Sequence, residues 1–134
     1  MPKHVFFYGT LMSPFNRPGR QRITPKLQYA GRGSIRAALF DLGIYPAAVP
    51  ASDDSLVWGE VYETADPASV LSALDEIEGY RPSQPDRSLY TRVLTEVTLA
   101  EGRSVKAWAY FYNAPLGQAQ RIVSGDYLEH LNGK

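Results

Sequence analysis

The sequence contains no cysteine and only two histidines among its 134 residues. The absence of cysteine excludes disulfides, thiolate nucleophiles, iron–sulfur ligation and cysteine-type zinc sites. Because His4 and His130 are the only imidazoles, a histidine metal cage is not expected either. We therefore expect a protein that uses no metal and no cofactor.

Long hydrophobic runs are also missing. The stretch MPKHVFFYGT is too short in apolar residues for a signal peptide, and no segment approaches the roughly 20 apolar residues of a membrane span. The hydrophobic share of 44% is nevertheless far above that of a disordered chain. We expect one folded domain covering residues 1–134, cytoplasmic, without a membrane partner and favoured to be a monomer.

Acidic residues are absent before Asp41, although the net charge of the chain is zero. The cations of this basic segment are Lys3, Arg17, Arg20, Arg22, Lys26, Arg32 and Arg36. Neutral overall charge and the lack of a helix-turn-helix, finger or RNA-binding signature argue against nucleic acid as a partner. The favoured interpretation is that the basic segment faces the acidic remainder of its own domain.

Strands dominate the hydrophobic pattern, and most are expected to be antiparallel. The predicted strands are residues 5–8, 28–42, 56–63, 89–99 and 104–112, the last two forming a hairpin around the turn at 100–103. Gly31 and Gly33 imply a bulge or a close backbone approach in the second strand. Residues 12–26, rich in Pro, Asn, Gly and Arg, predict a long surface loop with at most a short helix.

One long helix is predicted from Pro67 to Glu78. Asp66 can cap its start, Pro67 suits the first helical position, and Gly79 suits a left-handed stop. Near the C-terminus, Ser124 or Asp126 is placed to cap one short helix. The pattern therefore predicts an α+β protein with few helices.

Three carboxylates lie at the C-terminal end of the predicted long helix. On a wheel of about 100° per residue, Glu76 points away from the apolar face, Asp75 flanks it and Glu78 lies inside it. Glu78 is also in the last turn, where the helix dipole disfavours a negative charge by about 0.3 to 1 kcal/mol. Burial and the dipole both predict a raised pKa, as proton exchange near neutral pH requires. The structural alternative is a frayed end, or an ion pair with Arg81 or Arg92.

A glycine turn follows the first strand at Tyr8, Gly9 and Thr10. Glycine can direct successive backbone N–H groups to one side and so form a donor site for an oxyanion or a carboxylate. A strand followed by such a turn is also common as a purely structural feature. The sequence contains neither a P-loop nor a dinucleotide-binding fingerprint.

Together these residues resemble the γ-glutamylcyclotransferase-like family, which includes the γ-glutamylamine cyclotransferases and AIG2-like proteins. The matching segments, in chain order, are VFFYGTL, DLGIYPAAV, VWGEVYE, LDEIEGY, YTRV, AWAYFY and SGDY. They span nearly the whole chain, whereas residues 12–26 follow no family pattern. The resemblance implies a small, mixed, mostly antiparallel β-barrel flanked by few helices, with a pocket at one barrel end beside the Tyr-Gly-Thr-Leu turn.

The resemblance also implies a reaction and a set of site residues. The reaction is intramolecular aminolysis of a small γ-glutamyl compound, of acyltransferase or lyase type, which releases 5-oxoproline and a free amine. Glu78 is implied as the catalytic acid/base, and the implied substrate-binding residues are Tyr8, Gly9, Thr10, Leu11, Tyr45 and Tyr90. The alternative is a non-catalytic module on the same fold that binds a small metabolite or a macromolecule. His4 and His130 are interpreted as surface residues.

Overall fold

A computed structural model describes residues 2–15 and 17–133. Its strands are β1 (His4–Phe7), β2 (Gln28–Arg36), β3 (Ala38–Asp41), β4 (Pro46–Val49), β5 (Leu56–Glu63), β6 (Tyr90–Leu99), β7 (Ser104–Tyr112) and β8 (Gln120–Arg121). Its helices are α1 (Pro18–Ile23), α2 (Pro67–Glu78) and α3 (Tyr127–Asn132). Short 3-10 turns cover Ser13–Phe15, Thr24–Lys26 and Pro85–Arg87.

Five strands close a barrel in the order β1-β5-β2-β6-β7. Neighbouring strands are antiparallel except for β7 and β1, which pair in parallel through His4 with Ala107 and Val5 with Trp108. This parallel contact closes the barrel and makes it mixed. The expected fold class, a small and mostly antiparallel barrel with few helices, is confirmed.

A second, three-stranded sheet has the order β4-β3-β8. The strand predicted over residues 28–42 is in fact two strands, because the chain leaves the barrel at Ala37, whose N–H donates to Ser55 O at 3.2 Å. The apolar alternation continues through Ile35, Ala37 and Leu39, all of them buried. The pattern therefore did not indicate the change of sheet. The partner strands β4 and β8 are too short to be recognised by alternation.

The two glycines of β2 behave as predicted. The register between β2 and β5 shifts between Tyr29 and Gly31, and Gly31 has a φ of 137°. A Cβ on Gly33 would lie 2.7 Å from Val97 Cγ1. The first glycine thus supports a bulge, and the second a close approach between β2 and β6.

Helix α2 has the bounds that the sequence predicts. The Asp66 carboxylate accepts from the Ser69 N–H at 3.3 Å, and Gly79 ends the helix in the left-handed conformation with a φ of 68°. At the C-terminus Asp126, rather than Ser124, caps α3. In residues 2–15 and 17–133, no helix is long and apolar enough to cross a membrane.

The segment 12–26, predicted as a long surface loop with at most a short helix, does have mostly exposed described residues and one short helix, α1, but little of it is irregular. Apart from Asn16, which lies outside the described residues, most of this segment forms α1 and two 3-10 turns. Arg20 is only 6% exposed; its guanidinium lies 4.7 Å from the Tyr62 ring centroid, and its Nε donates to Leu11 O at 3.0 Å. Because the stem of an arginine can pack like an apolar side chain, a segment rich in polar residues can still have a buried face.

The basic segment faces the acids of the rest of the chain, as favoured. Four of its cations form ion pairs: Arg22 with Glu76, Lys26 with Asp66, Arg32 with Asp126, and Arg36 with Asp54. These pairs give most of the basic segment a partner within the protein. The expectation that nucleic acid is not a partner stays a prediction.

The two histidines are less exposed than expected. His130 on α3 lies 2.8 Å from Asp41 Oδ2, and its side chain is 17% exposed. His4 is half-buried, with Nε2 4.0 Å from Glu63 Oε2. Both histidines are partly exposed, and His130 is the more covered of the two because α3 packs back against the end of β3.

Candidate active site

A cavity of about 220 Å³ opens at one end of the barrel. Strands β1 and β7 finish at this end and β6 begins there, since β7 runs parallel to β1 and antiparallel to β6. The C-terminal end of α2 and the start of β4 complete the wall. Every predicted site residue lines this cavity: Tyr8, Gly9, Thr10, Leu11, Tyr45, Glu78 and Tyr90.

Glu78 is the last residue of α2 and is half-buried at the cavity wall. Burial raises the pKa of its carboxyl group from 4.5 to about 7, against the opposing effect of the positive charge on Arg17. A raised pKa is what its position on the helix predicted. Within the described part of the chain, the Glu78 carboxyl group has no hydrogen-bond or ion-pair partner, so it is open to a bound molecule.

Asp75 lies one turn earlier on α2 and is buried, not merely flanking the apolar face. Its Oδ1 accepts from the Tyr110 hydroxyl at 2.5 Å, and its Oδ2 accepts from Arg92 Nη1 at 2.7 Å. Strands β6 and β7 supply these donors, and paired donors allow a carboxylate to be buried. The same contact gives Arg92 a partner other than Glu78, and it ties the last turn of α2 to the barrel.

The turn after β1 forms a second side of the cavity. The Gly9 carbonyl accepts from the Met12 N–H at 3.0 Å. A Cβ on Gly9 would lie 2.8 Å from Pro46 Cγ, so only glycine fits against β4 without displacing it. Across residues 2–15 and 17–133, the backbone N–H groups of Gly9, Thr10 and Leu11 find no acceptor. Three successive donors therefore remain available at the turn.

Two tyrosines of the cavity wall, Tyr8 and Tyr90, use their hydroxyl protons within the fold. Tyr8 donates to Tyr110 O at 2.6 Å and accepts from the Ala48 N–H at 3.1 Å, while Tyr90 donates to Pro46 O at 2.9 Å. Burial raises the pKa of both phenols well above the ordinary value. Tyr45 packs on Tyr90 with 6.1 Å between ring centroids. Tyr8 and Tyr90 thus form neutral walls whose hydroxyl oxygens are left only as acceptors.

The lining residues that sequence reasoning did not assign to the site include Arg17 and Tyr110. Arg17 precedes α1, and its Nη1 donates to Thr10 Oγ1 at 2.7 Å. No pattern pointed to Arg17, because its segment was interpreted as a loop without a family match. Tyr110 lies in the correctly predicted strand β7, and nothing in that strand's pattern pointed to a site.

The barrel and the cavity define a class of protein: a small mixed barrel whose open end joins one half-buried carboxyl group to a turn of free backbone donors. In the residues described, no group of three or more His, Cys, Asp or Glu side chains could hold a metal ion. The family model for "Gamma-glutamyl cyclotransferase, AIG2-like" matches residues 5–129. The chain belongs to this family.

Similarity to individual proteins agrees with the family. The chain is 30% identical over 126 residues to the γ-glutamylcyclotransferase family protein YtfP of Escherichia coli K12, covering 93% of this chain and 96% of that one. The solution structure of E. coli YtfP gives a TM-score of 0.66 over 95% of this chain and 97% of its own. An AIG2-like protein of Mus musculus gives 0.62 at 26% identity, over 85% and 80% of the two chains.

A longer protein contains a similar fold. The structure of YkqA from Bacillus subtilis gives a TM-score of 0.71 over the whole of this chain at 24% identity. This chain spans 44% of the length of YkqA. At that identity the likeness shows a shared fold and nothing about activity.

Proposed function

We propose that this protein is an enzyme that cyclises a small γ-glutamyl compound to 5-oxoproline and releases an amine. The observation that carries the proposal is one cavity lined by both Glu78 and the turn from Tyr8 to Leu11. Glu78 has a pKa of about 7, so both protonation states of its carboxyl group are well populated at neutral pH. Membership of the family supports the same reaction class.

The reaction needs proton transfer but no enzyme nucleophile. The α-amine of the γ-glutamyl group attacks its own γ-carbonyl carbon, a new C–N bond closes the five-membered ring, and the C–N bond to the leaving amine breaks. The attacking nitrogen must lose protons and the leaving nitrogen must gain them. Ionised Glu78 accepts a proton from the α-ammonium group and returns it to the leaving nitrogen. The second proton follows the same route, from the ring nitrogen after its attack to the released amine, which departs as an ammonium.

The turn and the walls supply the remaining parts. Backbone N–H groups of Gly9, Thr10 and Leu11 stabilise the oxyanion that forms on the γ-carbonyl. The rings of Tyr45 and Tyr90 enclose the substrate and favour its folded conformation. Well-oriented intramolecular reactions reach effective molarities of about 10⁵ to 10⁸ M, so orientation supplies much of the rate.

Activity is tested by incubating the protein with γ-glutamyl dipeptides and γ-glutamyl-ε-lysine and detecting 5-oxoproline by mass spectrometry. Glu78→Gln should lower turnover by at least about 10²- to 10⁴-fold, because the amide cannot exchange the proton. Glu96→Gln is the matched control, since Glu96 is an exposed carboxylate on β6 that does not line the cavity, and its turnover should stay near that of the unsubstituted protein.

Two outcomes would contradict the proposal. Unchanged turnover in a folded Glu78→Gln variant would remove Glu78 from the mechanism. Absence of 5-oxoproline from every γ-glutamyl compound would favour a non-catalytic module that binds a small molecule in the same cavity.

A further inference from the structure

Arg17 differs from the other cations of the basic segment in where its charge is directed. Lys26, Arg32 and Arg36 pair with acids outside the cavity, and Arg22 lies 4.0 Å from the exposed lining residue Glu76. Arg20 is buried against aromatic rings. Arg17 lines the cavity, and in the described part of the chain no carboxylate lies within ion-pair distance of it. Its hydrogen bond to Thr10 Oγ1 uses one N–H of Nη1. Four N–H groups of the guanidinium are therefore available to a ligand.

The start of α1 packs closely against the end of α2. A Cβ on Gly19, two residues after Arg17, would lie 3.0 Å from Cδ1 of Ile77, the residue before Glu78. The positive charge of Arg17 lies close enough to oppose the rise in the pKa of Glu78 that burial causes. The cation and the half-buried carboxyl group thus face the same space from neighbouring elements.

The charges around the cavity fit an amino acid head group. Three lining residues carry a formal charge: Arg17, Glu78 and Glu76. Glu76 is exposed, with Arg22 4.0 Å away. The remaining lining residues are aromatic, apolar or neutral. This leaves one cation and one titratable acid, which match the carboxylate and the ammonium on the α-carbon of a γ-glutamyl group.

We propose that Arg17 binds the α-carboxylate of the γ-glutamyl group and thereby restricts the enzyme to substrates that carry this carboxylate. This inference rests on the proposed function. The α-carboxylate and the attacking amine share one carbon atom, so an amine placed at Glu78 holds the carboxylate within a few ångströms of the same wall. A guanidinium fork matches a carboxylate with two parallel hydrogen bonds, which fixes the orientation of the α-carbon as well as its position.

The test compares two substrates that differ only in the α-carboxylate. γ-Glutamyl methylamide contains it, whereas 4-aminobutanoyl methylamide lacks it, keeps the same attacking and leaving amines, and cyclises to 2-pyrrolidinone. Arg17→Met should lower kcat/KM for the first by about 10- to 100-fold, mainly through KM, because it loses a charged hydrogen-bonded pair. Arg17→Met should change kcat/KM for 4-aminobutanoyl methylamide by less than about twofold.

Two further variants separate recognition from a general effect of charge. Arg17→Lys keeps the charge without the fork and should retain an intermediate preference for the carboxylate. Arg22→Met removes the same charge from an exposed position on α1 that does not line the cavity. It should leave kcat/KM for both substrates unchanged. An equal loss on both substrates in Arg17→Met, or no loss on either, would overturn the role of Arg17.

Binding of products provides a readout that does not depend on turnover. The unsubstituted protein should bind 5-oxoproline at least about 10-fold more tightly than 2-pyrrolidinone in an NMR titration, and Arg17→Met should abolish the difference. If no compound is cyclised, the proposed function fails while this titration still judges Arg17. Equal discrimination by the two proteins would refute the inference.

Discussion

Replacing Glu78 by Gln should change how the stability of the protein depends on pH. The unfolded chain releases this proton near pH 4.5, whereas the folded protein holds it to about pH 7. Between these values the folded state binds more protons, so the free energy of unfolding falls as pH rises through this window and is constant above it. At about 1.4 kcal/mol per pH unit, the loss is at most about 3.5 kcal/mol, and it is reduced by the solvent that reaches a half-buried side chain.

The glutamine variant has no charge to bury and should not show this loss. Urea unfolding at intervals from about pH 4 to pH 9 measures the difference in free energy between the two proteins. That difference should be small at the acid end and should grow to about 2 to 3 kcal/mol in favour of Glu78→Gln above pH 7. Glu76→Gln, at an exposed position, should change stability by less than about 0.5 kcal/mol throughout. Parallel curves for Glu78→Gln and the unsubstituted protein would show that Glu78 titrates as an ordinary surface carboxyl group, and would refute the reasoning on proton exchange.

Two other substitutions test the walls of the cavity. Gly9→Ala places a methyl group 2.8 Å from Pro46 Cγ, so the turn must shift; we expect turnover to fall by about 10²- to 10³-fold in a steady-state assay, and a variant of normal activity would contradict the oxyanion role. Asp75→Ala leaves the Arg92 guanidinium and the Tyr110 hydroxyl without their acceptor; it should lower the free energy of unfolding by about 3 kcal/mol in urea, and a loss below about 1 kcal/mol would show that the network contributes little.

The long helix and the carboxyl group at its end could be predicted because local rules determine them. Asp66, Pro67 and Gly79 are residues with strong positional preferences, and a helical period assigns each side chain to a face. The same period locates Glu78 without any knowledge of the barrel. It misjudged Asp75, since the burial of that carboxylate depends on donors from β6 and β7 that are distant in sequence.

The missed features share a different origin. The departure of β3 from the barrel changes the partners of the chain but not its alternation, so Ala37 looks like any other inward residue. Arg17 and Arg20 are the same residue type, yet Arg17 lines the cavity and Arg20 is buried on Tyr62. Tertiary contacts determine which arginine is buried and which lines the cavity, and a count of residue types cannot distinguish the two environments.

The hydrogen bond from Tyr8 to Tyr110 joins residues 102 positions apart. Barrel closure requires the same distant pairing, because β1 meets β7 only after nearly the whole chain is available. Contacts of such high sequence separation form late and slow the folding of a domain. On a ribosome the cavity would be completed only when β7 has emerged. Until then, the edge of β1 that pairs with β7 stays unpaired. The first strand of the barrel thus belongs to the part of the fold that is finished last.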